Sequence, residues 1–218
     1  MRPADERVRL KKEGGRYHHG NLKDALVLAA ERSIAKSGSI DLPLRDVAKL
    51  AGVSHAAAYR HFASKTALLA EVAVRGFSSL KAKLHEGVAK ASGPEARLIE
   101  AGVAYVTFAL ESAGAFRVMF DSALKPFTQF PGLSEAAFEA LGVLREVVRE
   151  AAEAGAVRND ELNASVMSAW ALIHGQATLL LDDQFLGPFE IGPDDAASSA
   201  RTVMRRLVDG LRTRPTGS

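Results

Sequence analysis

The sequence predicts an all-α fold of about nine helices, with an N-terminal three-helix helix-turn-helix domain and a larger second helical domain. Three observations carry this expectation. Apolar residues recur at three- and four-residue spacing in one segment after another. Gly, Pro, Asn and Ser stand between those segments, where helices start and stop. In residues 44 to 65, two short helical stretches meet at a tight turn.

Residues 1–16 carry Arg2, Arg7, Arg9, Lys11, Lys12 and Arg16 with Gly14-Gly15 as a joint. They read as a disordered basic arm suited to the DNA backbone or minor groove. His18 and His19 are adjacent, but no carboxylate or further histidine stands at ligand spacing, so no metal site is expected. The first helix is expected to start near Asn21, a good N-cap. It carries Leu22, Ala25, Leu26, Ala29 and Ile34 on one stripe until Ser37-Gly38 ends it.

Pro43 suits entry to the second helix, and Arg45 beside it is placed to clamp a phosphate. Leu44, Val47, Ala48 and Ala51 give that helix one apolar face. Gly52 stops it, because glycine adopts a left-handed backbone without a Cβ clash, and Val53 returns to the core. Ser54 caps the third helix, which runs through His55, Ala58, Tyr59 and Phe62, with Phe62 expected in the core. Ala56 and Ala57 keep its start slim. Tyr59, His61 and Lys65 are expected to hold phosphates, and His55 and Arg60 to read base edges. A plain helical hairpin in an all-α core is the alternative for this stretch.

Ser64-Lys65 opens a long fourth helix through Leu69, Val72, Phe77, Leu80, Leu84 and Val88, ending near Ala91. It predicts a rigid connection between the domains. Pro94-Glu95 starts the fifth, with Leu98, Gly102, Tyr105 and Phe108 on its face, and Gly114 is expected to break it. A short helix with Phe116, Met119 and Phe120 follows, and then Lys125 to Gly132 is irregular. Of the ten phenylalanines, Phe108, Phe116, Phe120, Phe127, Phe130 and Phe138 cluster here. Such aromatic density around a broken segment suits an apolar cavity, expected to be lined by Tyr105, Phe108, Phe116, Met119, Phe120, Phe127, Trp170 and His174. A plain aromatic core is the alternative.

The seventh helix covers roughly residues 133–154, closed by Gly155. Asn159-Asp160 starts the eighth, where Leu162, Val166, Ala169, Trp170, Ile173, Ala177 and Leu180 form a wide apolar face, and Asp182-Asp183 ends it. Gly192-Pro193 starts the ninth, with Val203, Met204, Leu207 and Leu211. A helix apolar on more than one side must be covered twice. Ile173, Ala177, Val203 and Leu207 are therefore expected at a homodimer interface, with Gly175 permitting close helix approach. Trp170 and His174, four apart, share a face where indole and imidazole can meet a ligand or each other, and a histidine hydrogen-bonded within the core is the alternative.

The net charge of +2 hides an asymmetry. Residues 1–75 hold 14 Lys+Arg against 8 Asp+Glu, a net of +6, and the remainder 14 against 18, a net of −4. The positive half contains the helix-turn-helix, as attraction of a polyanion requires. Cysteine is absent, which removes disulfide and thiolate chemistry. No apolar run of about 18 residues is expected to span a membrane, and Met1 to Lys12 is too charged for a signal peptide, so the expectation is a cytoplasmic protein.

The ordered run Asp46-Val47-Ala48-Lys49-Leu50-Ala51-Gly52-Val53-Ser54, Ala58-Tyr59-Arg60-His61-Phe62 and Ser64-Lys65-Thr66-Ala67-Leu68-Leu69 resembles the DNA-binding domain of TetR-family transcriptional regulators. Many members carry glycine or proline where this chain has Ala56, and threonine or serine where it has Ala57. Trp170-Ala171-Leu172-Ile173-His174-Gly175 resembles the Trp-His-Gly signature of one subgroup. The resemblance implies a homodimeric, ligand-responsive regulator, most often a repressor, with a DNA operator and a small-molecule effector as partners. No P-loop, nucleophile motif, paired carboxylates or metal-ligand set is present to carry catalysis, and no cofactor is implied. The competing readings are an all-α carrier or enzyme without DNA binding, and an architectural DNA-binding protein. The domain limits expected are 1–16 for the disordered basic arm, 17–75 for the helix-turn-helix DNA-binding domain and 76–218 for a helical ligand-binding and dimerisation domain.

Overall fold

A computed structural model describes residues 19–158, 161–182 and 195–212. Nine α-helices and no strand occur among the described residues. They are α1 (His19–Ser37), α2 (Leu44–Leu50), α3 (His55–His61), α4 (Lys65–Ala89), α5 (Pro94–Glu111), α6 (Ala113–Met119), α7 (Leu133–Glu153), α8 (Leu162–Leu181) and α9 (Ala196–Leu211). Single 3-10 turns at Ser122–Leu124 and Phe127–Gln129 interrupt the segment expected to be irregular.

The cap residues act as their chemistry demands. The Ala57 amide donates to the Ser54 hydroxyl at 3.1 Å, and the Ala67 amide to the Ser64 hydroxyl at the same distance. These bonds satisfy donors that helix starts leave open. Gly52, at φ +70°, turns the chain between α2 and α3, and the Val53 amide donates back to the Ala48 carbonyl at 2.9 Å. Pro94 begins α5 as expected.

α4 is the axis of the molecule. It packs on α1 below and on α5, α6 and α7 above. A continuous apolar core runs from Leu26, Val47 and Phe62, past Leu69 and Phe77, to Leu144, Ile173 and Met204. At the joint, Lys23 and Arg75 bracket Glu71, at 2.8 and 3.1 Å, and Arg75 also reaches Asp24 at 2.6 Å. Burial alone would raise the Glu71 carboxyl, but the hydrogen bonds from Lys23 and Arg75 outweigh it and hold the group below its ordinary range.

Several sequence expectations shift. α1 starts at His19 rather than Asn21, and α4 ends at Ala89. Gly114 does not break the fifth helix. The break falls at Ser112, where the axis bends by 105° into α6, and Gly114 lies inside α6. Its missing Cβ answers a packing demand, because an added Cβ would stand 2.1 Å from the Glu31 carbonyl oxygen of α1. The starts assigned to Asn159-Asp160 and Gly192-Pro193, the basic arm and His18 all lie outside the described residues.

The expectation that no apolar segment reaches membrane length is corrected by α8. By length and composition this 20-residue helix is apolar enough to cross a membrane. Its polar positions, Asn163, Ser165, Ser168, His174, Gln176 and Thr178, carry no fixed charge, so they interrupt the run of apolar residues without making the helix polar. α8 packs against α5, α7 and α9 through a stripe of Ala169, Ile173, Ala177 and Leu180. Met167 and Leu179 remain 58% and 51% exposed on its outer side.

Candidate DNA-binding face and ligand cavity

α3 is anchored by its inner side. Ala58 is fully buried and Phe62 nearly so, which fixes the helix against α1 and α2. The outer side then presents His55, Ala56, Tyr59 and Arg60, all exposed, with His61 half-buried. The rings of His55 and Tyr59 lie 4.6 Å apart across one helical turn, so each restricts the other's rotamers. Arg45 projects from α2, 72% exposed and 3.7 Å from Asp46.

Lys65 is engaged already. Its ammonium donates to the Asp41 carboxylate at 3.0 Å. An exposed pair of this kind is worth only about 0–1 kcal/mol, so a phosphate can displace Asp41 cheaply. Ser54 is occupied as a cap, leaving its hydroxyl proton as the free donor. Lys49 and Leu50, at the end of α2, are exposed on the same motif and were not singled out from the sequence. Their signal was hidden because the helical spacing of α2 draws attention only to its buried face.

Helices α4, α5, α7, α8 and α9 surround a cavity of about 510 Å³. Phe77, Leu80 and Leu84 of α4 form one wall, Ala101, Gly102 and Tyr105 of α5 another. Leu141 and Leu144 of α7, Trp170 and Ile173 of α8 and Met204 of α9 complete it. Phe120, Lys125, Phe127 and Thr128 from the segment before α7, with Ser134 and Phe138 of α7 itself, line the remaining side, where Lys125, Thr128 and Phe138 are exposed. Phe77 meets Phe120 and Phe127 edge-on, with centroids 5.6 and 5.9 Å apart.

Of the expected pocket residues, Tyr105, Phe120, Phe127 and Trp170 line this cavity, and Phe108, Phe116, Met119 and His174 do not. The correction has a packing cause. Met119 is fully buried against Gly76, and Phe108 lies towards the α1 side of the bundle. Phe116 stands behind Tyr105 and Phe120, at 5.8 and 5.1 Å. His174 forms a second layer, its Nδ1 2.9 Å from the Tyr105 hydroxyl. Burial lowers the histidine's affinity for a proton and pushes the Tyr105 phenol up. The imidazole is therefore neutral, and its tautomer sets whether Nδ1 accepts from the phenol or donates to it. The missed lining residues, Phe77, Leu80, Leu84, Phe138, Leu141 and Leu144, sit on regular apolar stripes, which look the same whether they face side chains or a void.

Two expected interface residues are also corrected. Ile173 and Ala177 are 1% and 0% exposed within one protomer, so they cannot meet a second subunit. The apolar residues of α8 that remain outside are Met167, Leu172 and Leu179. Val203 and Leu207 on α9 are half-buried. No group of three or more metal-ligating side chains occurs among the described residues.

With this arrangement in view, comparison with known proteins is decisive for the family. A family model described as bacterial regulatory proteins, tetR family, matches residues 26–72, and one described as the tetracyclin repressor-like C-terminal domain matches residues 98–207, just over half of the 218-residue chain. The chain belongs to the TetR family of transcriptional regulators. A TetR-family chain is a regulator rather than an enzyme, and members of the family bind DNA operators and dimerise.

A solved structure of a protein of unknown function from Rhodococcus sp. RHA1 is 31% identical, with a TM-score of 0.73, over 91% of this chain and 99% of that one. The TetR-family regulator PfmR from Thermus thermophilus shares the fold at 20% identity and a TM-score of 0.66, over 89% of this chain and 97% of that one. The ketosteroid transcriptional regulator KstR2 of Mycobacterium tuberculosis does so at 20% identity and a TM-score of 0.63, over 88% and 95%. The HTH-type transcriptional regulator BetI of Agrobacterium fabrum is 36% identical over 86 residues, which span 39% of this chain and only 41% of that protein.

Proposed function

We propose that this protein is a cytoplasmic, homodimeric repressor that a small, largely apolar effector releases from a palindromic operator. The observation that carries the reading is α4. Its 25 residues begin at Lys65 beside the recognition helix and place Phe77, Leu80 and Leu84 in the cavity wall. At 1.5 Å per residue such a helix spans about 37 Å, so a tilt at the cavity end displaces the DNA-binding end. The core is continuous along this axis, which favours transmission over independent domain motion.

The effector acts by differential affinity. A ligand that prefers the released state by about 2.7 kcal/mol weakens operator binding roughly a hundredfold, and one without preference does nothing. In this scheme residues 17–75 bind DNA, with Tyr59, His61, Lys65 and Arg45 on phosphates and His55 and Arg60 at base edges. Residues 1–16 add a basic arm, and residues 76–218 bind effector and partner. Met167, Leu172 and Leu179 on α8, with Val203 and Leu207 on α9, supply the apolar surface for a four-helix contact between subunits. The Trp170 to Gly175 sequence supports placement in the Trp-His-Gly subgroup.

The test is selection of bound sites from random duplex by the purified protein, followed by a screen for small molecules that abolish binding to the selected site. The reading expects a palindrome with half-sites about 34–36 Å apart, or a multiple of that spacing. A site without two-fold symmetry, or one insensitive to every ligand that enters the cavity, would overturn it.

A further inference from the structure

Resting on the effector-cavity reading, we propose that the effector is an amphiphilic carboxylate, with its hydrocarbon body inside the bundle and its anionic head at Lys125. The inner walls, Phe77, Leu84, Ile173 and Met204, are buried and wholly apolar. The Tyr105 hydroxyl is the one polar side-chain group among the deeply buried lining residues, and it is engaged by His174 Nδ1 at 2.9 Å and by the Trp170 indole. A polar ligand group carried to that depth would lose its water without finding a partner. Hydrocarbon is what the interior accepts.

The mouth has the opposite character. Lys125 and Thr128 are exposed there, and Ser134 is half-exposed beside them. All three can donate a hydrogen bond, and no Asp or Glu lines the cavity. Lys125 has no ion-pair partner among the described residues, whereas Lys81 and Lys83 of α4 are tied to Glu139 and Glu111 at 3.1 and 2.7 Å. A cationic head would meet an uncompensated ammonium. A carboxylate there gains a charge-assisted bond while staying near water, which avoids the cost of burying an anion. Phe138, 71% exposed at the same opening, gives the adjoining methylenes an aromatic surface.

Trp170 supplies the readout, since it is the only tryptophan in the chain and lines the cavity. Decanoate, 1-decanol and decylamine are titrated below their aggregation thresholds near neutral pH, and Trp170 fluorescence is followed. Decanoate should bind about tenfold more tightly than 1-decanol, with decylamine weakest. Lys125→Met should bring decanoate to the affinity that 1-decanol shows for the same variant. Ala140 is a buried lining residue of α7, so Ala140→Phe fills the cavity and should remove binding of both. Equal affinities for decanoate and 1-decanol, or a preference that survives Lys125→Met, overturns the carboxylate assignment and leaves an apolar-effector cavity standing. No response to any of the three probes in natively folded protein, or binding that survives Ala140→Phe, overturns the cavity reading together with the proposal.

Discussion

Gly114→Ala sets two helix effects against each other at the joint between the domains. Alanine is favoured over glycine inside a helix by about 1 kcal/mol, so on propensity alone the variant would be more stable. The structure reverses that sign. An added Cβ would stand 2.1 Å from the Glu31 carbonyl oxygen and 3.0 Å from both the Glu31 carbonyl carbon and the Ala35 amide nitrogen. All three are backbone atoms of α1, so no side chain can swing aside. Relief requires α6 to lift from α1 by about 1 Å, and overpacking of this kind costs about 1–3 kcal/mol, with rigid backbone at the upper end. The net is a loss of about 2 kcal/mol, or about 4–8 °C in melting temperature for a chain of this size. Gly175→Ala is the control, because an added Cβ there meets nothing within 4 Å in the protomer. Thermal melts of both variants at matched concentration provide the assay. An unchanged or raised melting temperature for Gly114→Ala would refute the close-approach argument. A drop for Gly175→Ala that grows on dilution would show that the second subunit packs on that glycine.

Replacing Lys65 by alanine should weaken binding to all duplexes alike and lower the slope of log affinity against log salt by about one, measured by fluorescence anisotropy over a salt series. A changed sequence preference with the slope intact would remove Lys65 from the phosphate role. Burial depresses the His174 proton affinity in the folded state, so its contribution to stability is complete above the unfolded value of 6.5 and is lost as pH falls through that value towards the lower folded one. His174→Gln should flatten that part of the stability-against-pH curve, and a curve identical to the parent's would show that another group titrates there. Met167→Glu with Leu172→Glu should yield monomers in sedimentation, since both residues are exposed in the protomer and charge there leaves its core intact. A dimer as tight as the parent's would move the interface off α8.

The helix-turn-helix was legible because its instructions are local. Ser54 and Ser64 reach amides three residues on, Gly52 sets its own backbone angle, and the spacing of Leu44, Val47, Ala58 and Phe62 marks the inner face within two helical turns. The start of α5 at Pro94 and the start of α7 were equally plain. Where a signal was local but ambiguous, the reading missed. Gly114 looked like punctuation and proved to be a contact, because a glycine required by a turn and one required by a neighbouring backbone are written with the same letter.

What the sequence determined by itself was the helical class, the order of the elements, the DNA-reading motif and the aromatic richness of the second domain, all of which follow from periodicity, capping chemistry and composition. Tertiary structure alone decided which apolar residues face a void, which face the core and which face outwards. Ile173 and Leu172 are neighbours on α8, yet one is buried beside the cavity and the other is 37% exposed. A helix turns by about 100° per residue, so on a helix that is apolar around most of its circumference the pattern carries no phase. The phase comes only from where α5, α7 and α9 lie against it, and those positions depend on contacts between residues far apart in the chain.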